Sequence, residues 1–307
     1  MITREEKNKE IRNLINEEKN HETRKRIIIT FFKVTFVLIV FFSLFYLYTK
    51  YSTTVGLTVR ENRIVDEKIP SSFNGLKIIH FTDTYYGETI NMKVIKNLVK
   101  EINKRNPDIV IFTGNLIEKN YNISTKEQER LITELQGINA SIDKYAIYGK
   151  YDKKDIYKTI MSQSNFIILD NNYDLIYNNN TPILITGLSS HVKKNRNMEN
   201  AFKYFKEETH NSNIYTISIM SETEDLDAVI SNYNPSLVLA GNSLNGEVYI
   251  PYIGGLINQK GSSKYINPYY EVNNTKIYIS GGLASPTLGF RLFNNPSFNF
   301  YRLSNKK

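Results

Sequence analysis

Residues 76–114, LKIIHFTDTYYGETINMKVIKNLVKEINKRNPDIVIFTG, decide the fold class of this chain. They begin and end with short apolar runs, LKIIHF and IVIF, which are typical of buried strands. Between these runs lies a predicted helix with Asn91 as its cap and one apolar face, formed by Val94, Ile95, Leu98, Val99 and Ile102. A strand, a helix and a second strand in this order predict an α/β architecture.

The alternation of strand-like and helix-like segments continues beyond this stretch. Ser124 and Glu127 form a capping-box pattern at the start of the next predicted helix. Residues 246–303, by contrast, consist mostly of short strands and turns. This combination (α/β, or more loosely α+β) predicts a layered sandwich rather than a doubly wound sheet. Upstream, the alternating stretch 55–59, VGLTV, predicts an edge strand.

The composition is that of a folded protein, with 307 residues of which 41% are hydrophobic and 23% are charged. The net charge of +8 suits attraction to nucleic acid, anionic lipid or a cell-wall polymer. No RNA-binding motif and no basic helix with readable base contacts is found, so we do not expect nucleic acid as a partner. The absence of Cys excludes disulfides and thiolate metal sites.

Residues 27–48, IIITFFKVTFVLIVFFSLFYLY, form an apolar run long enough to cross a bilayer. Lys33 lies near its N-terminal end, where the side chain can reach the interface, and Tyr46 and Tyr48 lie at the other end as interfacial aromatics. A buried core helix would show a polar stripe, and a cleaved signal peptide would have a shorter apolar region and a small-x-small site. The run has neither feature, so a retained transmembrane anchor is predicted.

The flanking charges predict the orientation of this anchor. Arg24, Lys25 and Arg26 directly precede the apolar run, while basic residues are sparse after it, which places the N-terminus in the cytoplasm. We therefore expect a single-pass protein of the cell membrane. Its predicted parts are a cytoplasmic tail (1–26), a transmembrane anchor (27–48), a linker and edge strand (49–75) and an extracytoplasmic domain (76–307).

Five predicted strand ends carry polar residues, and ligands of open α/β folds collect at such ends. The segments are FTDTYYGE (81–88), FTGNLIEK (112–119), IYGKYDKK (147–154), IMSETEDL (219–226) and LAGNSLNGE (239–247). In this order they resemble the calcineurin-like metallophosphoesterase superfamily, most closely its membrane-anchored bacterial branch. The resemblance covers about residues 75–303 and includes non-catalytic stretches such as NPDIVIFTG and GEVYIPYIGG. It implies a four-layer α/β/β/α sandwich after the transmembrane helix.

In active relatives the resemblance implies two divalent metal ions, held by five motifs, that activate a water and neutralise the phosphate. The first motif, D-x-H, corresponds to Asp83 and Tyr85, so the Asp remains and the His does not. In the second, G-D-x-x-D, the metal-bridging Asp corresponds to Asn115. In the third, G-N-H-D, Lys150 replaces the ligand Asn and Tyr151 replaces the His that stabilises the leaving oxygen.

The remaining motif positions are also altered. Asp152, which in the family orients the preceding His, is retained. The His of the fourth motif corresponds to Glu222, and the two His of the fifth, G-H-x-H, correspond to Asn242 and Leu244. Only Asp83 keeps the family residue among seven ligand positions. We therefore expect no bound metal and assign no catalytic residue; if an ion is held, its ligands are Asp83, Glu222 and Asn242.

Histidines elsewhere do not replace the missing ligands. His80 lies within the first strand and is expected in the core, His21 precedes the anchor, and His191 and His210 are expected at the surface. Without metal ions the acidic side chains at the motif positions need another source of positive charge. One hypothesis is that the Lys150 ammonium pairs with Asp83, Glu222 or both; the alternative is that it points to solvent. A clear fall in melting temperature for Lys150→Met would support the pair.

Asp152 would then pair with Lys150 or with a backbone donor. A cleft with Lys150, Tyr85, Tyr86 and Tyr151 could hold an anion or stack on a sugar or base, or the tyrosines could fill the volume of the lost metals and imidazoles. The favoured function is an inactive, membrane-tethered binding or scaffold module of the cell envelope, with an envelope protein or an anionic ligand as its partner. The alternative is a phosphohydrolase that acts on a phosphodiester or a lipid- or nucleotide-linked phosphate through non-standard ligands.

Overall fold

A computed structural model describes residues 4–190, 197–205, 214–250, 252–256, 259, 261–262 and 264–306. The chain divides into two compact units, Met1–Thr49 and Lys50–Lys307.

The first unit is helical. Helix α1 spans Arg4–Val55, and its part Lys7–Tyr48 contains a stretch long and apolar enough to cross a membrane. The strand predicted to begin at residue 55 is therefore wrong in its start, because α1 continues through Val55 and strand β1 spans Thr58–Val65. Extending an existing helix needs no new nucleation, and α1 ends just before Gly56, a poor helix former.

The second unit contains two six-stranded sheets. The first sheet is built from β1 (Thr58–Val65), β2 (Lys77–Phe81), β3 (Ile109–Phe112), β4 (Asp143–Ala146), β5 (Ile167–Ile168) and β14 (Ser297–Ser304). The second sheet is built from β6 (Asn172–Asn178), β7 (Thr181–Leu188), β8 (Thr216–Met220), β9 (Leu237–Ala240), β12 (Tyr269–Val272) and β13 (Thr275–Ile279). Strands β10 (Tyr249–Ile250) and β11 (Gly254–Gly255) form a small hairpin. The helices are α2 (Met92–Asn103), α3 (Thr125–Gln136), α4 (Lys154–Gln163), α5 (Met198–Ala201) and α6 (Leu226–Tyr233).

Both sheets have a parallel centre. The first has the order β1-β14-β2-β3-β4-β5, with β2 to β5 parallel to one another and β14 antiparallel to β2. The second has the order β12-β13-β9-β8-β7-β6, with β7, β8, β9 and β13 parallel. The carboxyl ends of β2, β3 and β4 therefore lie at one edge of the first sheet, and those of β8 and β9 lie at one edge of the second.

Three apolar clusters separate four layers. Neighbouring residues on β2 face opposite sides, so Ile79 packs with α2, α3 and α4, while Ile78 packs between the two sheets. A third cluster, which includes Val238 of β9 and Val229 of α6, lies between the second sheet and helices α5 and α6. The predicted α/β/β/α sandwich is confirmed.

The helix starts follow from local sequence. The Asn91 side chain accepts hydrogen bonds from the backbone N–H groups of Lys93 and Val94 at the start of α2. Ser124 and Glu127 form a reciprocal capping box at the start of α3. Both predicted caps are confirmed.

Candidate functional site

Glycines allow the loops that follow the strands to approach one another closely. A Cβ at Gly114, after β3, would lie 2.2 Å from the backbone nitrogen of Gly149, after β4. A Cβ at Gly241, after β9, would lie 2.3 Å from Thr82 Oγ1, after β2. Such contacts are closer than any side-chain carbon permits, so the three glycines bring loops from both sheets into one cluster.

Asp83 lies at the centre of this cluster and is fully buried. Its Oδ1 accepts a hydrogen bond of 2.7 Å from Asn115 Nδ2, and its Oδ2 accepts one of 2.9 Å from the backbone N–H of Asn242. Asn115 Oδ1 in turn accepts the backbone N–H of Tyr151 at 3.1 Å. A backbone N–H can only donate, so this bond orients the amide with its NH2 group towards Asp83.

Asp152 is held by backbone donors, one of the two kinds of partner considered for it. Its Oδ2 accepts the N–H groups of Asn115 at 2.8 Å and Gly149 at 2.7 Å. Its Oδ1 accepts the N–H of Leu116 at 2.7 Å. The carboxylate therefore ties the loop after β3 to the loop after β4.

Burial dominates the acidity of both carboxyl groups. Desolvation raises the pKa of Asp83 to about 6, against the opposing effect of its hydrogen bonds and of the Arg291 charge. Desolvation likewise raises the pKa of Asp152 to about 6, although three backbone donors stabilise the carboxylate. Above this pH the two charges are compensated chiefly by N–H donors.

Five of the motif positions have left-handed backbone. The φ angles are 54° at Asp83, 40° at Tyr85, 60° at Asn115, 63° at Asn242 and 54° at Leu244. Asn and Asp tolerate this region, but for bulkier side chains it costs about 1–2 kcal/mol per residue. The loops thus keep a strained backbone at Tyr85 and Leu244, whose side chains are not the imidazoles of the family motifs.

Tyr85 and Tyr86 are buried members of the apolar cluster under α2, α3 and α4. The Tyr85 ring lies 6.1 Å from the Tyr151 ring, centroid to centroid. The Tyr85 hydroxyl has no hydrogen-bond partner in the described part of the chain, and burial raises its pKa well above the usual value. These contacts fit the interpretation that tyrosines fill vacated volume.

Lys150 and Glu222 are the remaining charged motif positions. Lys150 is half-buried, and its Nζ lies 5.6 Å from the centroid of the Tyr151 ring. Glu222 is fully buried, and its carboxyl carbon lies 3.2 Å from the position that a Cβ on Gly261 would take. Pairing of Lys150 with Asp83 or Glu222 remains a prediction.

The core histidine behaves as expected from the sequence. His80 is fully buried, its Nε2 lies 3.0 Å from Thr113 Oγ1, and burial lowers its pKa to about 3. The ring is therefore neutral at physiological pH. His21 lies on α1, while His191 and His210 lie outside the described residues.

Comparison with known proteins identifies the family of this chain. Residues 76–282 match the family model of the calcineurin-like phosphoesterases. The chain belongs to this family. It is 25% identical over 264 residues to the uncharacterised metallophosphoesterase YkuE of Bacillus subtilis (strain 168), covering 84% of this chain and 89% of YkuE.

A second relative, the uncharacterised metallophosphoesterase Cj0846 of Campylobacter jejuni, is 24% identical over 86% of this chain and 68% of its own length. Among solved structures, a hypothetical protein from Thermus thermophilus aligns with a TM-score of 0.41 and 12% identity, covering 67% of this chain and 76% of that chain.

The donor set of this calcineurin-like phosphoesterase does not fit a two-metal centre. Asn115 presents its NH2 group, not an oxygen, to Asp83, and Leu244 offers no donor atom. A cation beside Asp83 would meet N–H hydrogens on both carboxylate oxygens. Within the described ranges, no three His, Cys, Asp or Glu side chains are grouped to hold a metal.

Sequence reasoning missed Glu247, a fully buried carboxylate in the loop after β9. It accepts the backbone N–H groups of Thr287 at 3.0 Å and Leu288 at 2.9 Å, and also the side chains of Gln259 and Ser285. These partners are 12 to 41 residues away, so no local pattern identifies them. Glu247 therefore organises the loop at residues 284–290 rather than the centre at Asp83.

Proposed function

We propose that this chain is a membrane-anchored, extracytoplasmic calcineurin-like protein that does not hydrolyse phosphoesters and acts as a binding or scaffold module of the cell envelope. The observation that carries the proposal is the 2.7 Å hydrogen bond from Asn115 Nδ2 to Asp83 Oδ1. It puts an amide donor where a two-metal centre needs a bridging carboxylate.

The neighbouring contacts support the same interpretation. A metal-bridging group must offer negative oxygen to two cations, whereas Asn115 offers neutral NH2 to Asp83 and uses its own oxygen for the Tyr151 N–H. Asn242 donates its backbone N–H to Asp83, and its side chain bonds to Asn115 and Ser262. The centre is thereby filled by a hydrogen-bond network that stabilises Asp83 without an ion.

Catalysis is tested on the purified full chain in detergent micelles. We expect substoichiometric metal by elemental analysis after incubation with Mn²⁺ and no hydrolysis of bis-p-nitrophenyl phosphate above that of the Asp83→Ala variant. Stoichiometric metal, or turnover that disappears in Asp83→Ala, would overturn the proposal. That result would favour a phosphohydrolase with Asp83, Glu222 and Asn242 as non-standard ligands.

The orientation of the anchor is testable because the chain has no cysteine. Asn13 on α1 and Asn120 after β3 are both exposed, so either can carry a single cysteine. We expect a membrane-impermeant maleimide to label Asn120→Cys in intact cells and Asn13→Cys only after permeabilisation. The reverse pattern would place the folded domain in the cytoplasm, against the charge-based expectation.

A further inference from the structure

A cavity of about 340 Å³ lies between the edges of the two sheets. Arg60 of β1 and Asn299 of β14 line it from the first sheet, and Tyr269 and Tyr278 line it from the second. Asn245, Tyr249, Phe293 and Asn294 are among the other residues that line it. None of the motif positions around Asp83 lines this cavity, and its volume is in the range of small-ligand sites.

Arg60 supplies a positive charge to the cavity. The half-buried guanidinium donates to Asn245 Oδ1 at 2.6 Å and to Asn294 Oδ1 at 3.1 Å. Over the residues that the structure describes, no carboxylate forms an ion pair with it, and Glu61 at the cavity wall is solvent-exposed. Two neutral amides therefore orient Arg60 without neutralising it, which suits pairing with a carboxylate or phosphate.

Asn299 supplies an unused acceptor. The residue is only 2% exposed, and its Nδ2 lies within hydrogen-bond distance of the Tyr301 hydroxyl. Its buried Oδ1 has no hydrogen-bond partner in the described part of the chain. An unpaired buried polar atom costs about 1–3 kcal/mol, and a ligand that reached this amide group would supply its missing partner.

Phe293 is the most unusual residue of the cavity wall. Its φ angle of 54° lies in the left-handed region, and 68% of its surface is exposed to solvent. The conformation costs about 1–2 kcal/mol for a bulky side chain, and burial in the core does not offset it here. An exposed aromatic ring held at such a cost beside a cavity points to contact with a ligand face.

We propose that this cavity binds a single sugar ring that carries a carboxylate or phosphate group. Arg60 pairs with the anionic group, Asn299 accepts a hydroxyl, and Phe293 covers the face of the ring, with Tyr269 and Tyr278 forming the opposite wall. The ring–ring separation of 4.9 Å between these tyrosines makes that wall continuous. The inference goes beyond the proposed function and holds whether or not the centre at Asp83 is catalytic.

Binding is tested by titration calorimetry on the full chain in detergent micelles with four probes: glucose 6-phosphate, glucuronate, glucose and inorganic phosphate. We expect saturable binding of at least one charged sugar, about tenfold or more tighter than glucose or phosphate alone. Comparison of the two charged sugars separates phosphate from carboxylate as the recognised group. No saturable binding of either would overturn the proposal, as would equal affinity for glucose.

Variants locate the binding to this cavity. Phe293→Asn places a residue that tolerates left-handed backbone at this position, so the melting temperature should stay the same or rise while affinity falls about tenfold. Tyr252→Asn is the matched control, because Tyr252 has a φ of 70°, is fully exposed and does not line the cavity. Arg60→Gln should remove the preference for charged sugars over glucose. Unchanged affinity in Phe293→Asn, or an equal loss in Tyr252→Asn, would contradict the assignment.

Discussion

Asn115→Asp tests the proposal that the Asn115 amide stabilises Asp83 without metal ions. The substitution introduces the residue type that the resemblance predicts for the bridging position in the family, and it places a carboxylate oxygen where Asn115 Nδ2 now lies, 2.7 Å from Asp83 Oδ1. A hydrogen bond is thereby replaced by a contact between two acids. The left-handed backbone at this position is compatible with Asp as well as Asn, so the change is chiefly one of charge.

The magnitude follows from Coulomb's law. With these oxygens in contact, the centres of the two carboxylate charges lie about 4 Å apart. At an effective dielectric constant near 20, two such charges repel by about 4 kcal/mol. One bound proton removes this repulsion, so the folded-state pKa of the acid pair is raised above the unfolded value near 3.9. The folded state then binds more protons than the unfolded state, and stability falls as the pH rises. We expect a loss of about 4 kcal/mol at pH 8 and about 2 kcal/mol at pH 5.

The assay is urea unfolding of the full chain in detergent micelles without added metal, at pH 5 and at pH 8. The chain has 22 Tyr and no Trp, so unfolding is followed by far-UV circular dichroism and Tyr fluorescence. Asn179→Asp is the matched control: Asn179 also has left-handed backbone, with a φ of 48°, but is exposed in the turn between β6 and β7. A loss at Asn115 that is equal at the two pH values, or below about 1 kcal/mol at pH 8, would refute the reasoning.

Three further results are expected from the same unfolding assay. Gly114→Ala should lower the free energy of unfolding by about 1–3 kcal/mol more than Gly75→Ala. Both glycines have positive φ, but only at Gly114 would the new Cβ meet backbone, 2.2 Å from the Gly149 nitrogen. Equal losses of stability would argue against close packing of the loops. The wild-type chain should lose stability as the pH rises from about 4 to about 6, by on the order of 2–3 kcal/mol per carboxyl group. The reason is that burial raises the folded-state pKa of Asp83 and Asp152 to about 6. A free energy of unfolding that increases over this pH range would contradict their burial as acids. Ser124→Ala should cost about 1 kcal/mol through loss of the cap of α3, and an unchanged midpoint would show that the cap does not contribute.

Local features of this protein were readable from the sequence because the interacting groups are close along the chain. Asn91 bonds to N–H groups two and three residues ahead, and Ser124 and Glu127 are three residues apart. The apolar face of α2 repeats with the helical period. The predicted start of the edge strand at residue 55 is wrong, since alternation over five residues does not outweigh the extension of a long helix.

The likeness of the stretches around Asp83 indicated the family, and the substitutions assigned to the motif positions stay a prediction. The sequence by itself thus determined the layered α/β fold and an apolar segment able to span a membrane, and it predicts the loss of metal-ligand residue types. None of these depends on the direction in which a side chain points.

Only the tertiary structure decided how the altered centre is stabilised. The orientation of the Asn115 amide depends on the Tyr151 N–H, 36 residues away, and the bond from Arg60 to Asn245 joins residues 185 positions apart. Such contacts arise from the packing of loops that follow different strands, and hydrogen bonds act over about 3 Å in space whatever the separation along the chain. A sequence pattern has a short range along the chain, so it identifies residue types but not the partners that folding brings to them.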